Sequence, residues 1–485
     1  MTGDNAMNRS AKERMEDNAP FRPKERRLRR GVDKPFLTAI ILLLCAGIVM
    51  VATASYVHAG WRFGDNLYFI KRHLMFVVLG VIIMWGVSKV PYEIIRKWTP
   101  VIFVVSLLLL AAVLFMGSDS HGAKRWIYIG PISVQPSEIM KFGAIVMCAD
   151  YIDRFHAQIT LKGQPQSFTR IVLPAMASMV FGAVMFVLGA FGKMIFSKLA
   201  GSAEPLLEDG TENSYYGLIS FCEKFKIILV LLGLVFISFA IYYSIKKKMP
   251  SEAPDFFFGI LPFGVMIVAI AALLALQPHM SGMIIITLII VILMTIGGSS
   301  SRYMLGAVAV GGVGMFGMLN VFSHSKGRLD VWKNPFDNLL EGGWQPAQSL
   351  YAIGNGGIWG VGIGQSMQKH LYLPEPMNDY IFAILCEEFG FIGAMAVILL
   401  FVFFVYRGIV IAFRAPDRFS ALVVLGIVAQ VGIQAILNMM VVTNTIPSTG
   451  IALPFFSYGG SALMILLAEM GVVLSISRYS VIEKK

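Results

Sequence analysis

Twelve apolar runs, most of them near the roughly 20 residues that a helix needs to cross a bilayer, govern what this chain can fold into. They fall at about 35–57, 73–90, 99–117, 137–152, 171–191, 226–244, 257–275, 282–297, 303–322, 380–406, 418–441 and 458–477. The fourth is short and carries Glu138, Lys141 and Asp150. Only 14% of the 485 residues are charged and 56% are hydrophobic, whereas soluble domains are about a quarter charged. The pattern predicts an all-α polytopic membrane protein, not a soluble core.

The first run follows a long polar tail, so it reads as an uncleaved helix and not as a signal peptide. That tail, 1–34, ends in the basic stretch "RPKERRLRR", which holds part of the net charge of +11. A basic block beside a first span fixes topology and touches anionic lipid, and nucleic acid is not expected as a partner. With the tail on the cytoplasmic side, the loops holding "RKW", "DRFHAQITLKG", "KKK", "SSSRY" and "FRAPDR" also fall inside, and twelve spans return the C-terminus there. The Gly- and Pro-rich segment 323–378 then lies outside. Its Trp332, Trp344 and Trp359 argue for an ordered, partly re-entrant cap. The four cysteines, Cys45, Cys148, Cys222 and Cys386, are scattered without zinc or disulfide spacing.

Basic residues should be depleted outside, yet that side holds Lys71, Arg72, Lys124, Arg125, Lys326, Arg328, Lys333 and Lys369. Retained against the topological bias, they point to an anionic ligand, with phosphate the first candidate, or else to solvated loop charges and lipid headgroups. Within the spans, Glu138 and Lys141 stand three apart on one helix face and can pair, as a functional or a purely structural couple. Of Glu387, Glu388 and Glu469, at least one should be buried against a polar partner. Asp379 stands at the mouth of the tenth run, where it could cap the helix or serve as a general base. The glycines of "GNGGIWGVGIG" (354–364) do not fit a dinucleotide fingerprint, and suit tight turns or close backbone approach.

Four stretches carry a resemblance to a known family. They are "GAKRWIYIGPISVQPSEIMKF" from Gly122, "QPHMSG" from Gln277, "GWQPAQSLYAIGNGGIWGVGIGQSMQKHLYLPEPMNDYIFAILCEEFGFIGA" from Gly343, and "NTIPSTGIALPFFSYGGSAL" from Asn444. In this order they resemble the SEDS family (shape, elongation, division and sporulation; FtsW, RodA and SpoVE). The resemblance implies a membrane domain over 35–480 and a peptidoglycan glycosyltransferase. Such an enzyme polymerises lipid II into glycan strands on the outer face of the bacterial plasma membrane, beside a class B penicillin-binding protein. The family's essential acidic residue falls on Asp379, and the Glu and Lys of its "QPSE..K" motif fall on Glu138 and Lys141. Gln348 and Ser457, in the third and fourth stretches, are expected substrate-binding residues. Two departures stand out. His279 replaces the family's usual Asp, and a helical hairpin over about 171–244, with the acidic loop "EPLLEDGTEN", adds two spans to a core of about ten.

The implied chemistry is a single inverting displacement. Asp379 takes the proton of the acceptor hydroxyl, while Lys124, Arg125, Arg328 and Lys369 hold the leaving pyrophosphate. A divalent cation, Mg or Mn, could bridge pyrophosphate and a carboxylate, although no motif demands one. Two other classes stay open on the residues: a lipid II flippase gated by Glu138 and Lys141, and a scaffold that only positions a partner synthase.

Overall fold

The computed structural model describes residues 31–120, 123–129, 132–160, 192, 193, 219, 220, 223, 259–277, 279–299, 331–337, 339 and 342–479. The expected spans 171–191, 226–244 and 303–322, the acidic loop of the hairpin, residues 1–30 of the basic tail and Arg328 lie outside the described residues.

Ten helices carry most of the described residues: α1 (Lys34–Phe63), α2 (Tyr68–Val87), α3 (Tyr92–Met116), α4 (Pro136–Thr160), α5 (Leu261–Ala275), α6 (Met280–Ile296), α7 (Trp344–Gly356), α8 (Ile381–Phe413), α9 (Arg418–Val442) and α10 (Gly460–Arg478). Six of them, α1, α2, α3, α8, α9 and α10, are long and apolar enough to cross a membrane, and α5 and α6 are shorter apolar helices. Large apolar side chains stay exposed on their outer faces, such as Val78, Ile82 and Leu108, which suits a surface solvated by lipid and not by water.

Local chemistry sets the helix ends. Asp33 caps α1 by accepting from the Phe36 amide at 2.9 Å, and Gly64 closes the helix in the left-handed region at φ 69°. Asp417 and Ser420 form a reciprocal capping box at the start of α9. The Asp33 end of the bundle is tied by ion pairs. Arg407 of α8 reaches Asp33 at 2.6 Å, Arg96 of α3 reaches Asp150 and Asp153 of α4, and the Tyr92 hydroxyl donates to Asp417 at 2.7 Å. These contacts lengthen α4 beyond the expected 137–152. The polar "DRFHAQIT" continues the helix, with Asp150 and Arg154 paired at 2.7 Å one turn apart and non-helical backbone at Phe155.

Helices alone were expected, but three short strands separate α3 from α4. They are β1 (Ser118–Ser120), β2 (Ala123–Ile129) and β3 (Ile132–Val134), in an antiparallel meander that pairs Asp119 with Lys124 and Tyr128 with Ser133. The aromatic and β-branched residues of "KRWIYIGPISV" suit a pleated surface better than a helix.

Helix α8 is interrupted near its start by Gly390, at φ 65°. The Phe391 and Ile392 amides, which would close onto the 387 and 388 carbonyls in a continuous helix, donate instead to the Gly357 and Ile358 carbonyls at 2.9 and 3.2 Å. The abandoned carbonyls of Glu387 and Glu388 accept from the Val361 and Gly362 amides, each at 3.0 Å. Segment 357–362 is thus threaded through the gap in α8, with each of these exchanged groups satisfied as a non-helical stretch in a membrane protein requires. A β-carbon at Gly356 or Gly360 would collide with the Cys386 or Glu388 carbonyl, which explains the glycine run.

Candidate active site

The end of the bundle opposite Asp33 gathers the polar loops. Helix α9 faces them with a stripe of amides spaced four residues apart, Gln430, Gln434 and Asn438, so that all three lie on one face. Each amide holds a different part of the site. Gln430 donates to Glu469 of α10 at 2.9 Å. Gln434 accepts from Lys141 at 3.1 Å and donates to the Ala452 carbonyl at 3.0 Å. Asn438 donates to the carbonyls of Asp379 and Ile451, both at 2.6 Å.

Glu138 and Lys141, on the first turns of α4, form the expected pair at 2.6 Å. Lys141 is buried, and Glu138 turns its carboxylate to a small open groove lined also by Gln434, Ser457, Tyr458, Leu463 and Leu466. Ser457, at the groove wall, accepts from the Leu453 amide at 2.7 Å and so holds the 443–459 loop in shape. The Tyr458 amide donates to the Met377 carbonyl at 2.8 Å, which joins the rim of the groove to the turn that carries Asp379.

Asp379 ends that turn immediately before α8. It is half-buried and densely surrounded, and among the described residues no cation pairs with its carboxylate. Burial pushes its carboxyl up to about 6, its own backbone amide opposes that rise, and the charge of Glu375 adds to it. Opposite stands Gly450 at φ 65°, where a β-carbon would lie 3.7 Å from Asp379 Oδ2. Asp379 does not act as a helix cap, since the N-cap position of α8 is Tyr380 and makes no side-chain cap bond.

Residues 34–199 and 222–482 match the family model FTSW_RODA_SPOVE, cell cycle protein. The chain belongs to this family. Among FtsW/RodA/SpoVE relatives, it is 34% identical over 442 residues to stage V sporulation protein E of Bacillus subtilis (strain 168), covering 91% of this chain and 95% of that one. It is 30% identical over 450 residues to the probable peptidoglycan glycosyltransferase FtsW of Trichlorobacter lovleyi, covering 92% and 93%. The fold is shared with the rod shape determining protein RodA of Thermus thermophilus at TM-score 0.55 and 18% identity, over 92% of this chain and 97% of that one. A chain of a peptidoglycan synthase complex that coordinates polymerization and crosslinking superposes at TM-score 0.59 and 19% identity, over 92% and 98%.

For this FtsW/RodA/SpoVE chain the expected cationic cluster needs correction. Lys369 is buried and paired with the fully buried Glu388 at 2.9 Å, so it cannot serve as an exposed anion ligand. The threaded segment brings the two together. Glu387, also buried, accepts from the Ser366 hydroxyl, the Met367 and Gln368 amides and Asn355, which pins the turn leading to Lys369. Arg125 lies half-buried on β2, with Nε donating to the Gln277 carbonyl at 3.4 Å. Lys124 has its backbone on the same strand and its side chain outside the described residues. Gln348 is buried on α7 and does not line the groove. His279 is buried with Nε2 3.3 Å from Gln135 Nε2. The amide stripe of α9 carries no charge or motif in the sequence, and its one signal is the four-residue period of "QVGIQAILN".

Proposed function

We propose that this chain is a peptidoglycan glycosyltransferase that polymerises lipid II on the outer face of the plasma membrane, with a class B penicillin-binding protein as its partner. The observation that carries the reading is Asp379, a carboxylate raised to about 6, free of any described cation and held at the junction of two loops, its turn joined through the Tyr458 amide to the rim of the groove that Glu138 lines. A general base needs a conjugate acid near the working pH and room for a substrate hydroxyl, and this arrangement supplies both.

In the proposed step the acceptor sugar's hydroxyl gives its proton to Asp379 as its oxygen bonds to the donor's anomeric carbon. The bond from that carbon to the lipid pyrophosphate breaks, and the electron pair leaves with the pyrophosphate. Configuration inverts from an α-linked donor to a β-linked polymer. Pyrophosphate leaves without protonation, so one carboxylate suffices where glycosidases need two. Arg125, with Lys124 and Arg328 as the sequence indicates, would take the pyrophosphate charge. Glu138 and Lys141 would shape the groove wall that receives the acceptor. A Mg or Mn ion, if used, would help a carboxylate of the site to neutralise the pyrophosphate charge. The reading places both termini in the cytoplasm, with twelve spans that include the added hairpin and with the Asp379 end of the bundle outside.

Purified chain supplied with lipid II, with and without the partner transpeptidase, tests the proposal. Glycan strands from the wild type and none from Asp379→Asn are expected. Movement of labelled lipid II across vesicles without polymer would favour a transporter, and polymer only from the partner would favour a scaffold.

A further inference from the structure

The geometry assigns Asn438 as the positioning residue that fixes Asp379, an assignment that rests on the glycosyltransferase reading and adds to it. One side-chain amide carries two hydrogens, and both are used. Nδ2 donates to the Asp379 carbonyl and to the Ile451 carbonyl, each at 2.6 Å. A single group on α9 thereby ties the turn before α8 to the 443–459 loop, and the loop in turn sets bare Gly450 against the carboxylate. Asn438 is itself fully buried in a long apolar helix, where an amide is costly; its Nδ2 bonds offset that cost, while its Oδ1 finds no partner among the described residues. Neither clamped carbonyl belongs to a helix interior; among the described residues the same two segments are also joined by the Tyr458 amide to the Met377 carbonyl, two residues before Asp379, so Asn438 is what holds the Asp379 carbonyl itself. Gln434 and Gln430, one and two turns below, hold the Lys141 and Glu469 side chains, so the clamp on Asp379 is the top rung of a single polar ladder.

Among the described residues, the charged group acting on Asp379 is Glu375 on its own turn, which itself lies 4.0 Å from Arg62 of α1. The 443–459 loop contributes Tyr458 as its one titratable residue, and α9 offers the neutral Asn438. Releasing the carbonyl therefore lets the carboxylate move toward water without adding or removing a charge.

The test is steady-state lipid II polymerisation by purified full-length Asn438→Ser and Asn438→Ala. Ser349→Ala serves as the control, since it loses a comparable buried bond, 2.7 Å to the Val442 carbonyl. The expected result is a kcat loss of about tenfold or more for Asn438→Ala, a smaller loss for Asn438→Ser, and a KM for lipid II within about twofold of wild type. The acid limb of the pH profile is expected to move down from about 6 toward the ordinary 3.8 in both variants, which a mere fall in folded fraction would not produce. Wild-type kcat in Asn438→Ala, an equal loss in Ser349→Ala, or an unmoved acid limb would overturn the assignment. If Asn438→Ala fails to accumulate, the limb of Asn438→Ser decides alone. Activity retained by Asp379→Asn would instead sink the glycosyltransferase reading, so the two failures are distinguishable.

Discussion

Gly450 faces Asp379 across the two loops, with left-handed backbone at φ 65° and its missing β-carbon 3.7 Å from Asp379 Oδ2. Any side chain there meets strain in the backbone, and its β-carbon would sit in van der Waals contact with the carboxylate, in space that a substrate hydroxyl would need. Gly450→Ala is expected to cost about 1–2 kcal/mol of stability through the left-handed conformation. It should lower polymerisation by more than that loss explains, as read by comparing turnover with the melting temperature in detergent.

The raised carboxyl of Asp379 sets a pH dependence of activity. A base must be deprotonated to accept a proton, so the rate should fall about tenfold for each pH unit below about 6 and level off above it. A profile of kcat/KM between pH 4.5 and 8 measures the limb directly.

Stability should respond with the opposite sense. The folded-state value lies above the ordinary 3.8, so the native state binds more protons than the unfolded chain in the window from about 4 to about 6, and this residue's contribution falls as pH rises through it. Asp379→Asn is therefore expected to raise the melting temperature above pH 6 and to bring no gain near pH 4. Melting curves of the two proteins at pH 7.5 and 4 check the sign.

Lys141 is buried between Glu138 and Gln434. Removing one member leaves an uncompensated charge, so Lys141→Met should destabilise by roughly 3 kcal/mol. Adding Glu138→Gln should recover part of that loss, and a double-mutant cycle on unfolding in detergent measures the coupling.

Glu387 accepts from a hydroxyl and two backbone amides of the turn at 366–368. Glu387→Ala leaves these donors buried without a partner, each worth about 1–3 kcal/mol. Proteolysis within 363–372 is expected to be faster in that variant than in the wild type, and fragment mass spectrometry locates the cut.

Much of this was legible in the sequence because bilayer solvation writes a strong signal. The runs at 380–406, 418–441 and 458–477 became α8, α9 and α10 with starts displaced by at most a few residues. The three-residue spacing of Glu138 and Lys141 sufficed to pair them, and Glu387, Glu388 and Glu469 are each buried against polar partners. Lys369 could not be read correctly, since its partner Glu388 meets it only through the segment threaded into α8. The strands between α3 and α4 were hidden by their shortness. The amides of α9 escaped notice because they are uncharged, although their spacing was visible; burial alone gives them weight.

Asn438 and Gly450, the two groups that seat Asp379 from the α9 side, both come later in the chain. During synthesis the carboxylate emerges from the ribosome well before them, and it is held in place only after α9 has inserted and the next loop has folded back. A nascent or prematurely terminated chain therefore carries the acid without its seat, and competence arrives as one of the last events in the life of the growing polypeptide.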